Sequence, residues 1–194
     1  MNVSLRHIRG PWEDGWVLDK HTLSSVYMGE DQYGHPQFET TRTEAGEATY
    51  LLKYKQDRSK IGPLAHALAD YIYPRFPEVG FIVPMPATTH RPHQPVTLVA
   101  KELGTFVSRP VFTNLLMKTP GGKSLKDLHT KEEKLDALEN RFRLLDAIPG
   151  SGPWNALILD DLYHTGATME SACTILRSYS KVNKIYVAAF TWRP

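Results

Sequence analysis

The chain has 194 residues, 41% of them hydrophobic, which is enough for one domain with a substantial core. Its formal net charge of +2 is too small to indicate nucleic-acid binding by itself, and its single cysteine, Cys173, excludes an internal disulfide and a cysteine-rich zinc site. The sequence shows no signal peptide and no apolar run of the ~20 residues that cross a bilayer, so we expect a cytoplasmic protein without membrane association.

The N-terminal segment, residues 1–50, predicts β or irregular structure because it is rich in Gly, Thr, Tyr and Trp. A hairpin is expected to pair Leu23–Met28 with Gln37–Thr41. Thr41–Glu44 matches a capping box, in which side chains satisfy the first free amides of a helix. Such a short segment without cysteines is too small to be stable alone. We therefore expect it to pack on the remainder of the chain, over the carboxyl ends of the strands.

The remainder, residues 51–194, predicts a single α/β core domain in which strands and helices alternate. The expected strands are Phe81–Val83, Val111–Met117, Phe142–Leu145, Ala156–Leu159 and Ile185–Phe190. Apolar residues at helical spacing predict helices around Leu64–Ile72, Val96–Leu103 and Met169–Leu176, and a capping box at Thr130–Glu133 predicts a charged helix through Asn140. This alternation predicts a mostly parallel sheet with helices on both faces, and ligands in such folds bind at the carboxyl ends of the strands.

Two carboxylates stand directly after the apolar strand Ala156–Leu159. They belong to Asp160 and Asp161. Because the carboxyl end of a parallel strand faces the ligand site, these acids lie at the mouth of the expected site. A carboxylate accepts hydrogen bonds from hydroxyl groups or holds a metal ion.

The next turn, Tyr163–Ala167, attracts the opposite kind of group. It precedes a helix whose free amides and positive dipole end favour an anion. Gly166 allows the backbone to approach that anion closely, and Thr165 and Thr168 add hydroxyl donors. A phosphate joined to a vicinal diol satisfies both the turn and the acid pair, and ribose 5-phosphate is such a molecule.

This order of strand, acid pair, turn and helix resembles the phosphoribosyl pyrophosphate (PRPP) loop of type I phosphoribosyltransferases. The resemblance implies that Asp160 and Asp161 are the catalytic pair, bind the ribose diol and contact Mg²⁺ directly or indirectly. It assigns the 5-phosphate to the residues of the turn and the helix start: Tyr163, His164, Thr165, Gly166, Ala167 and Thr168. The alternative interpretation is that the acids cap a turn and that Thr165–Gly166 only connects two elements.

From Leu51 to the C-terminus the chain resembles the ComF/amidophosphoribosyltransferase-like group. Leu52–Lys55 is similar to its lysine-tyrosine segment, Val83–Pro86 to its proline-flanked first loop, and Lys123–Phe142 to its basic loop and charged helix. Two features depart from that group. One cysteine cannot form its four-cysteine zinc module, and the Gly-Phe that commonly precedes the glutamine is replaced by Pro92-His93.

The family's other loops map onto further candidate residues. Ala87, Thr88 and Thr89 occupy the position of the pyrophosphate loop, although a proline-bounded turn fits them equally. The candidate residues for contacts with the acceptor or with pyrophosphate are Arg91, Gln94, Lys118, Lys123 and Lys126. The segment Lys118–Asp127 is expected to be mobile, either closing over pyrophosphate or remaining a solvated basic loop.

The resemblance implies a phosphoribosyltransferase that uses Mg²⁺-bound PRPP and transfers the phosphoribosyl group to an acceptor, commonly a nitrogen, with release of pyrophosphate. Residues 1–50 are then the candidate hood over the acceptor. The alternative is a protein that senses PRPP or a nucleotide without turnover, or that is associated with DNA uptake as in the ComF group. A homodimer and an association with nucleic acid stay open on the same resemblance.

Overall fold

A computed structural model describes residues 1–87, 93–118 and 142–194. Its strands are β1 (Arg6–His7), β2 (Asp14–Lys20), β3 (Thr22–Glu30), β4 (Pro36–Arg42), β5 (Val79–Pro84), β6 (Leu116–Lys118), β7 (Phe142–Leu144), β8 (Trp154–Tyr163) and β9 (Val182–Trp192). Its α-helices are α1 (Glu44–Tyr54), α2 (Ile61–Ala67), α3 (Pro95–Phe106) and α4 (Ala167–Arg177). Short 3₁₀ turns span Arg58–Lys60 and Tyr73–Arg75, and a π-helical turn, Leu68–Ile72, extends α2.

The central sheet has the strand order β1-β2-β9-β8-β5. Strands β2, β9, β8 and β5 run parallel to one another, whereas the edge strand β1 is antiparallel to β2. The predicted mostly parallel sheet is therefore confirmed. The parallel strands place their carboxyl ends along one edge, which we call the carboxyl edge.

Both faces of the sheet are covered by helices, as predicted. On β8, Leu157 and Leu159 belong to the hydrophobic cluster that contains α1, α2 and α3, whereas Ala156 and Ile158 belong to the cluster that contains α4. Consecutive residues of a strand point to opposite faces, so a continuous apolar run buries both. Burying one Leu or Ile side chain contributes about 1.5–3 kcal/mol. Cys173 is fully buried in the second cluster, and this burial raises the pKa of its thiol to about 12.

The N-terminal segment contributes to the sheet itself. Val17 of β2 pairs with Ala189 of β9, and both Val17 and Leu18 are fully buried on opposite faces of the sheet. Residues 14–20 therefore lie within the sheet and not over its strands, because they bury apolar side chains on both faces. The predicted division into 1–50 and 51–194 stays a prediction.

The predicted hairpin is present as β3 and β4, which form a separate antiparallel pair with Tyr27 opposite Phe38. It begins at the carboxyl edge, where the His21 N–H donates to the Trp192 carbonyl at 2.8 Å. Helix α1 follows the hairpin and packs its buried side on the first cluster.

The predicted capping box at Thr41–Glu44 is wrong, because α1 is capped by Thr43. The Thr43 hydroxyl accepts a hydrogen bond from the Gly46 N–H at 2.9 Å and donates to the Lys20 carbonyl at 2.6 Å. The second bond joins the cap to β2, a tertiary contact that the local sequence pattern does not contain. It shifts the helix start to Glu44.

The predicted strand Val111–Met117 is also shorter than expected. A turn at Thr113–Asn114 interrupts it, so that Val111 makes only an isolated bridge to Ile82 while Leu116–Lys118 pairs with β7. The predicted helix Thr130–Asn140 and the loop after Lys118 lie outside the described residues. In the described part of the chain, no helix is long and apolar enough to span a membrane.

Candidate functional site

A cavity of about 360 Å³ opens at the carboxyl edge, where β5 and β8 end. We call it the main cavity. Its lining comes from five stretches of the chain: Lys53 and Tyr54; Met85, Pro86 and Ala87; Gln94, Pro95 and Val96; Lys118; and Asp160, Asp161, Leu162 and Thr168. The parallel sheet thus brings the predicted acid pair to the edge where ligands of such folds bind.

The acid pair lies on β8 and not beyond it. Asp160 pairs with Ala189 of β9, so the strand continues through both acids to Tyr163. The Asp161 N–H donates to Asp160 Oδ1 at 2.8 Å, which holds the first carboxylate over the backbone of the second residue. The strand geometry fixes both side chains at the rim of the main cavity.

Lys53 forms an ion pair with the acid pair. Its Nζ lies 2.5 Å from Asp161 Oδ2, and the two side chains are only 23% and 14% exposed. Lys53 comes from the last turn of α1, so this contact attaches the N-terminal helix to the centre of the site. The family resemblance singles out the segment Leu52–Lys55. Nothing in the sequence indicates that Lys53 pairs with Asp161, which is more than one hundred residues away.

The pKa of Asp160 is raised to about 7 from its usual value of 3.8. Burial is the largest cause, because the protein replaces the water that would solvate the charged form, and the negative charge of Asp161 is the second. The hydrogen bond from the Asp161 N–H and the positive charges of Lys53 and Lys118 act in the opposite direction. Asp160 therefore binds a proton near neutrality until a cation or a hydroxyl donor arrives.

A second, smaller cavity of about 170 Å³ lies at the start of α4 and shares Asp160, Leu162 and Thr168 with the main cavity. Most of the predicted phosphate-binding residues line it, namely Tyr163, His164, Thr165, Gly166 and Thr168, and Ala167 is the first residue of the helix behind it. We call it the helix-start cavity. The structure therefore brings the acid pair and the helix start to two adjoining cavities.

Gly166 gives this turn its shape. It precedes α4 in a left-handed conformation with a φ of 83°, and a Cβ at this position would lie 3.0 Å from Tyr163 Oη. A residue with a side chain would be strained there and would push on the tyrosine ring. The open helix start and its partial positive charge thus face the helix-start cavity.

The remaining predicted site residues divide into two groups. Ala87, Gln94 and Lys118 line the main cavity. Thr88, Thr89, Arg91, Lys123 and Lys126 lie outside the described residues. The role of all these residues in ligand binding stays a prediction.

A buried chain of hydrogen bonds ends at the backbone of the acid pair, and the sequence did not predict it. His21 Nδ1 lies 3.0 Å from Thr191 Oγ1, and the Thr191 hydroxyl donates to the Asp161 carbonyl at 3.0 Å. Because that hydroxyl gives its proton to Asp161, His21 donates from Nδ1 to Thr191. Burial, followed by the positive charges of Arg193 and Arg42, lowers the pKa of His21 to about 4, so this histidine is neutral at pH 7.

The acid pair meets only part of what a metal ion requires. Within residues 1–87, 93–118 and 142–194, no three His, Cys, Asp or Glu residues lie close enough to hold a metal ion together. Mg²⁺ is commonly bound by one or two carboxylates, with water and substrate phosphates completing its shell. Asp160 and Asp161 fit that arrangement, and they do not fit a site made of protein ligands alone.

Comparison with solved structures identifies the fold. Adenine phosphoribosyl transferase from Trypanosoma brucei, in complex with AMP, pyrophosphate and ribose 5-phosphate, superposes with a TM-score of 0.51 at 9% identity over 97% of this chain and 74% of its own. The Leishmania tarentolae enzyme gives 0.49 at 12% identity over 95% and 80%. A hypothetical protein from Neisseria gonorrhoeae with bound ppGpp gives 0.45 at 15% identity over 68% and 66%. No family model and no curated protein matches the sequence. At these identities the likeness shows the fold alone.

Proposed function

Since the chain has the type I phosphoribosyltransferase fold, we propose that it binds PRPP and transfers the 5-phosphoribosyl group to a nitrogen acceptor, releasing pyrophosphate. One observation carries the proposal. An acid pair and a helix start with a left-handed glycine border two adjoining cavities at the carboxyl edge, at positions suited to a diol and to a phosphate. A pentose 5-phosphate presents these two groups at its two ends.

The acid pair would bind the 2- and 3-hydroxyl groups of the ribose. The carboxylate of Asp161 would accept hydrogen bonds from the diol, and Lys53 donates to its Oδ2. Positive charge develops at the anomeric carbon as pyrophosphate leaves. Carboxylates next to the ribose stabilise that charge, and they do so without reorganising because β8 and the His21–Thr191 chain hold them in place.

The helix-start cavity would bind the 5-phosphate. Its donors are backbone N–H groups of the turn and of the first turn of α4, together with the hydroxyls of Thr165 and Thr168. Binding both ends of the sugar fixes the anomeric carbon relative to the main cavity. Positioning of this kind contributes to catalysis without a covalent step.

Mg²⁺ would be held by Asp160 or Asp161 together with ligand oxygens, and when bound it would neutralise charge on the pyrophosphate. Lys118 lies on the same side, as its effect on the Asp160 pKa shows, and it lines the main cavity. Its positive charge suits the pyrophosphate. Ala87 at the end of the β5 loop lines the same space and would contribute backbone to the same group.

The test combines binding with turnover. Calorimetry should detect PRPP and ribose 5-phosphate in the presence of Mg²⁺, and 2-deoxyribose 5-phosphate should bind more weakly. Pyrophosphate release should be measured with nucleobases and ammonia as acceptors. Asp161→Asn should lose about tenfold to hundredfold in PRPP affinity, because a charged hydrogen bond contributes roughly 1.5–3 kcal/mol.

The matched control is Glu39→Gln, which removes a carboxylate from the exposed hairpin far from the main cavity. Binding that is as tight in Asp161→Asn as in this control would refute the diol assignment. PRPP binding without pyrophosphate release for any acceptor would instead favour the alternative proposal, a PRPP sensor or a ComF-like protein. Three further expectations can be tested on the same preparation. Chelation tests the dependence on magnesium, sedimentation tests for a homodimer, and DNA titration tests for an association with nucleic acid.

A further inference from the structure

A cavity of about 230 Å³ adjoins the main cavity between the end of α1 and the start of α3. We call it the side cavity. Lys53, Tyr54 and Pro95 line both cavities, so the two are adjacent. A molecule in the side cavity would therefore lie next to a ribose held by the acid pair.

The walls of the side cavity are apolar and flat. Leu52, Pro95 and Leu98 form an apolar surface, and the ring of Tyr54 is 58% exposed. An exposed aromatic ring beside aliphatic side chains provides a stacking surface for a planar ring. At about 230 Å³ the side cavity is smaller than a usual ligand pocket of roughly 300–1,000 Å³, which favours a single ring over a fused pair.

The rim of the side cavity is polar and positively charged. It carries Gln56, Arg58 and His93, and none of these side chains has a hydrogen bond or ion pair with another residue of the described chain. Lys53, by contrast, is already engaged by Asp161. Arg58 thus offers an unpaired guanidinium, which binds a carboxylate through two parallel hydrogen bonds.

We propose that the side cavity is the acceptor site and that it takes a single-ring aromatic heterocycle bearing a carboxylate. The inference rests on the proposed function. The ring would stack on Tyr54, its carboxylate would pair with Arg58, and a ring nitrogen would face the anomeric carbon. That nitrogen forms a bond to the carbon while the bond from carbon to the pyrophosphate oxygen breaks. The electron pair leaves with pyrophosphate, and the ring N–H proton is released to solvent.

Gln56 gives the proposal a variant that separates binding from folding. This residue follows the end of α1 with a φ of 56°, a left-handed conformation that glycine adopts without strain. Gln56→Gly should therefore fold as well as wild type or better, and yet it removes an amide from the rim of the side cavity. Ser108→Gly is the matched control, because Ser108 has a φ of 52° after α3 and lines neither cavity.

The experiment measures binding of three probes in the presence of ribose 5-phosphate, by calorimetry. Orotate is a single ring with a carboxylate, uracil has the same ring without it, and adenine has a fused ring. Orotate should bind at least tenfold more tightly than either of the others. Arg58→Ala should abolish that preference and Arg58→Lys should restore part of it, whereas Lys55→Ala, an exposed cation outside both cavities, should not change it.

Gln56→Gly should weaken orotate severalfold with an unchanged or higher melting temperature, and Ser108→Gly should bind orotate like wild type. Pyrophosphate release from PRPP should follow the same order of probes. Equal or tighter binding of adenine, or a preference for orotate that survives Arg58→Ala, would overturn the assignment. Both results leave ribose 5-phosphate binding intact, so they are distinguishable from a failure of the proposed function, in which ribose 5-phosphate itself does not bind.

Discussion

Lys53→Met tests the ion pair that joins α1 to the acid pair. The substitution keeps an unbranched side chain of similar length but removes the charge that lies 2.5 Å from Asp161 Oδ2. Asp161 then loses its opposite charge, and each carboxylate of the pair faces the other with less compensation. The charged form of Asp160 also becomes less favourable, because Lys53 no longer lowers its pKa, so the pKa of Asp160 should rise.

The size of the effect follows from the contact. At 2.5 Å the direct attraction is roughly 6–7 kcal/mol for an effective dielectric constant of about 20. Most of this is offset by the cost of removing two charges from water, so the net loss is about 1.5–3 kcal/mol, as for a hydrogen bond between charged groups. A change of one pKa unit corresponds to ~1.36 kcal/mol. The pKa of Asp160, which Lys53 lowers as one of several causes, should therefore rise by at most about one to two units.

The assay is the pH dependence of ribose 5-phosphate binding without Mg²⁺. In the wild-type protein the affinity should fall as the pH drops through about 7, because the pKa of Asp160 is about 7 and its protonated form accepts hydrogen bonds from the diol less well. In Lys53→Met this midpoint should move upward, by at most about two pH units. The titration of the sugar phosphate is the same for both proteins and cancels in the comparison.

Lys55→Met is the control, because Lys55 also lies at the end of α1 but is exposed and lines neither cavity. Its binding profile should superpose on that of the wild-type protein. A Lys53→Met profile that also superposes, or that moves to lower pH, would show that the ion pair does not control the acid pair.

Three further perturbations have defined outcomes. The pKa of Asp160 is about 7 in the folded protein, whereas its usual value is 3.8. Its contribution to stability is therefore complete below pH 4 and is lost as the pH rises through 7. Asp160→Asn removes this dependence, so the stability of the variant relative to wild type in urea unfolding should improve by about 2–4 kcal/mol from pH 4 to pH 8. A constant difference would contradict the assigned pKa. Thr165→Val should weaken the binding of ribose 5-phosphate and of PRPP by the same factor, about twofold to tenfold, since it removes one neutral hydrogen bond to a phosphate that both ligands carry. A loss of affinity for PRPP alone would show that Thr165 does not contact the 5-phosphate. Gly166→Ala should cost about 1–2 kcal/mol of stability in the same unfolding assay, because its φ is 83° and the new Cβ meets Tyr163 Oη at 3.0 Å; an unchanged midpoint would show that the turn adjusts freely.

The sequence by itself determined the elements whose causes are local. The apolar run Ala156–Leu159 predicts a strand buried on both faces, and the structure confirms it. The hairpin β3–β4 lies where the sequence predicts it, and the apolar stripe of α4 follows from helical spacing. The turn around Gly166 is also local, because a left-handed residue before a helix needs glycine whatever surrounds it.

Only the tertiary structure decided the contacts between distant parts of the chain. Lys53 reaches Asp161, and His21 reaches Thr191, because β2 lies beside β9 and α1 packs over the neighbouring strands. The sequence around Val17 predicts only β or irregular structure and carries no information about which strand it pairs with. The side cavity has the same origin, since its rim combines the end of α1 with the start of α3. Hydrophobic periodicity and turn-forming residues act over a few neighbouring positions. Strand order and helix packing depend on how the whole core is buried.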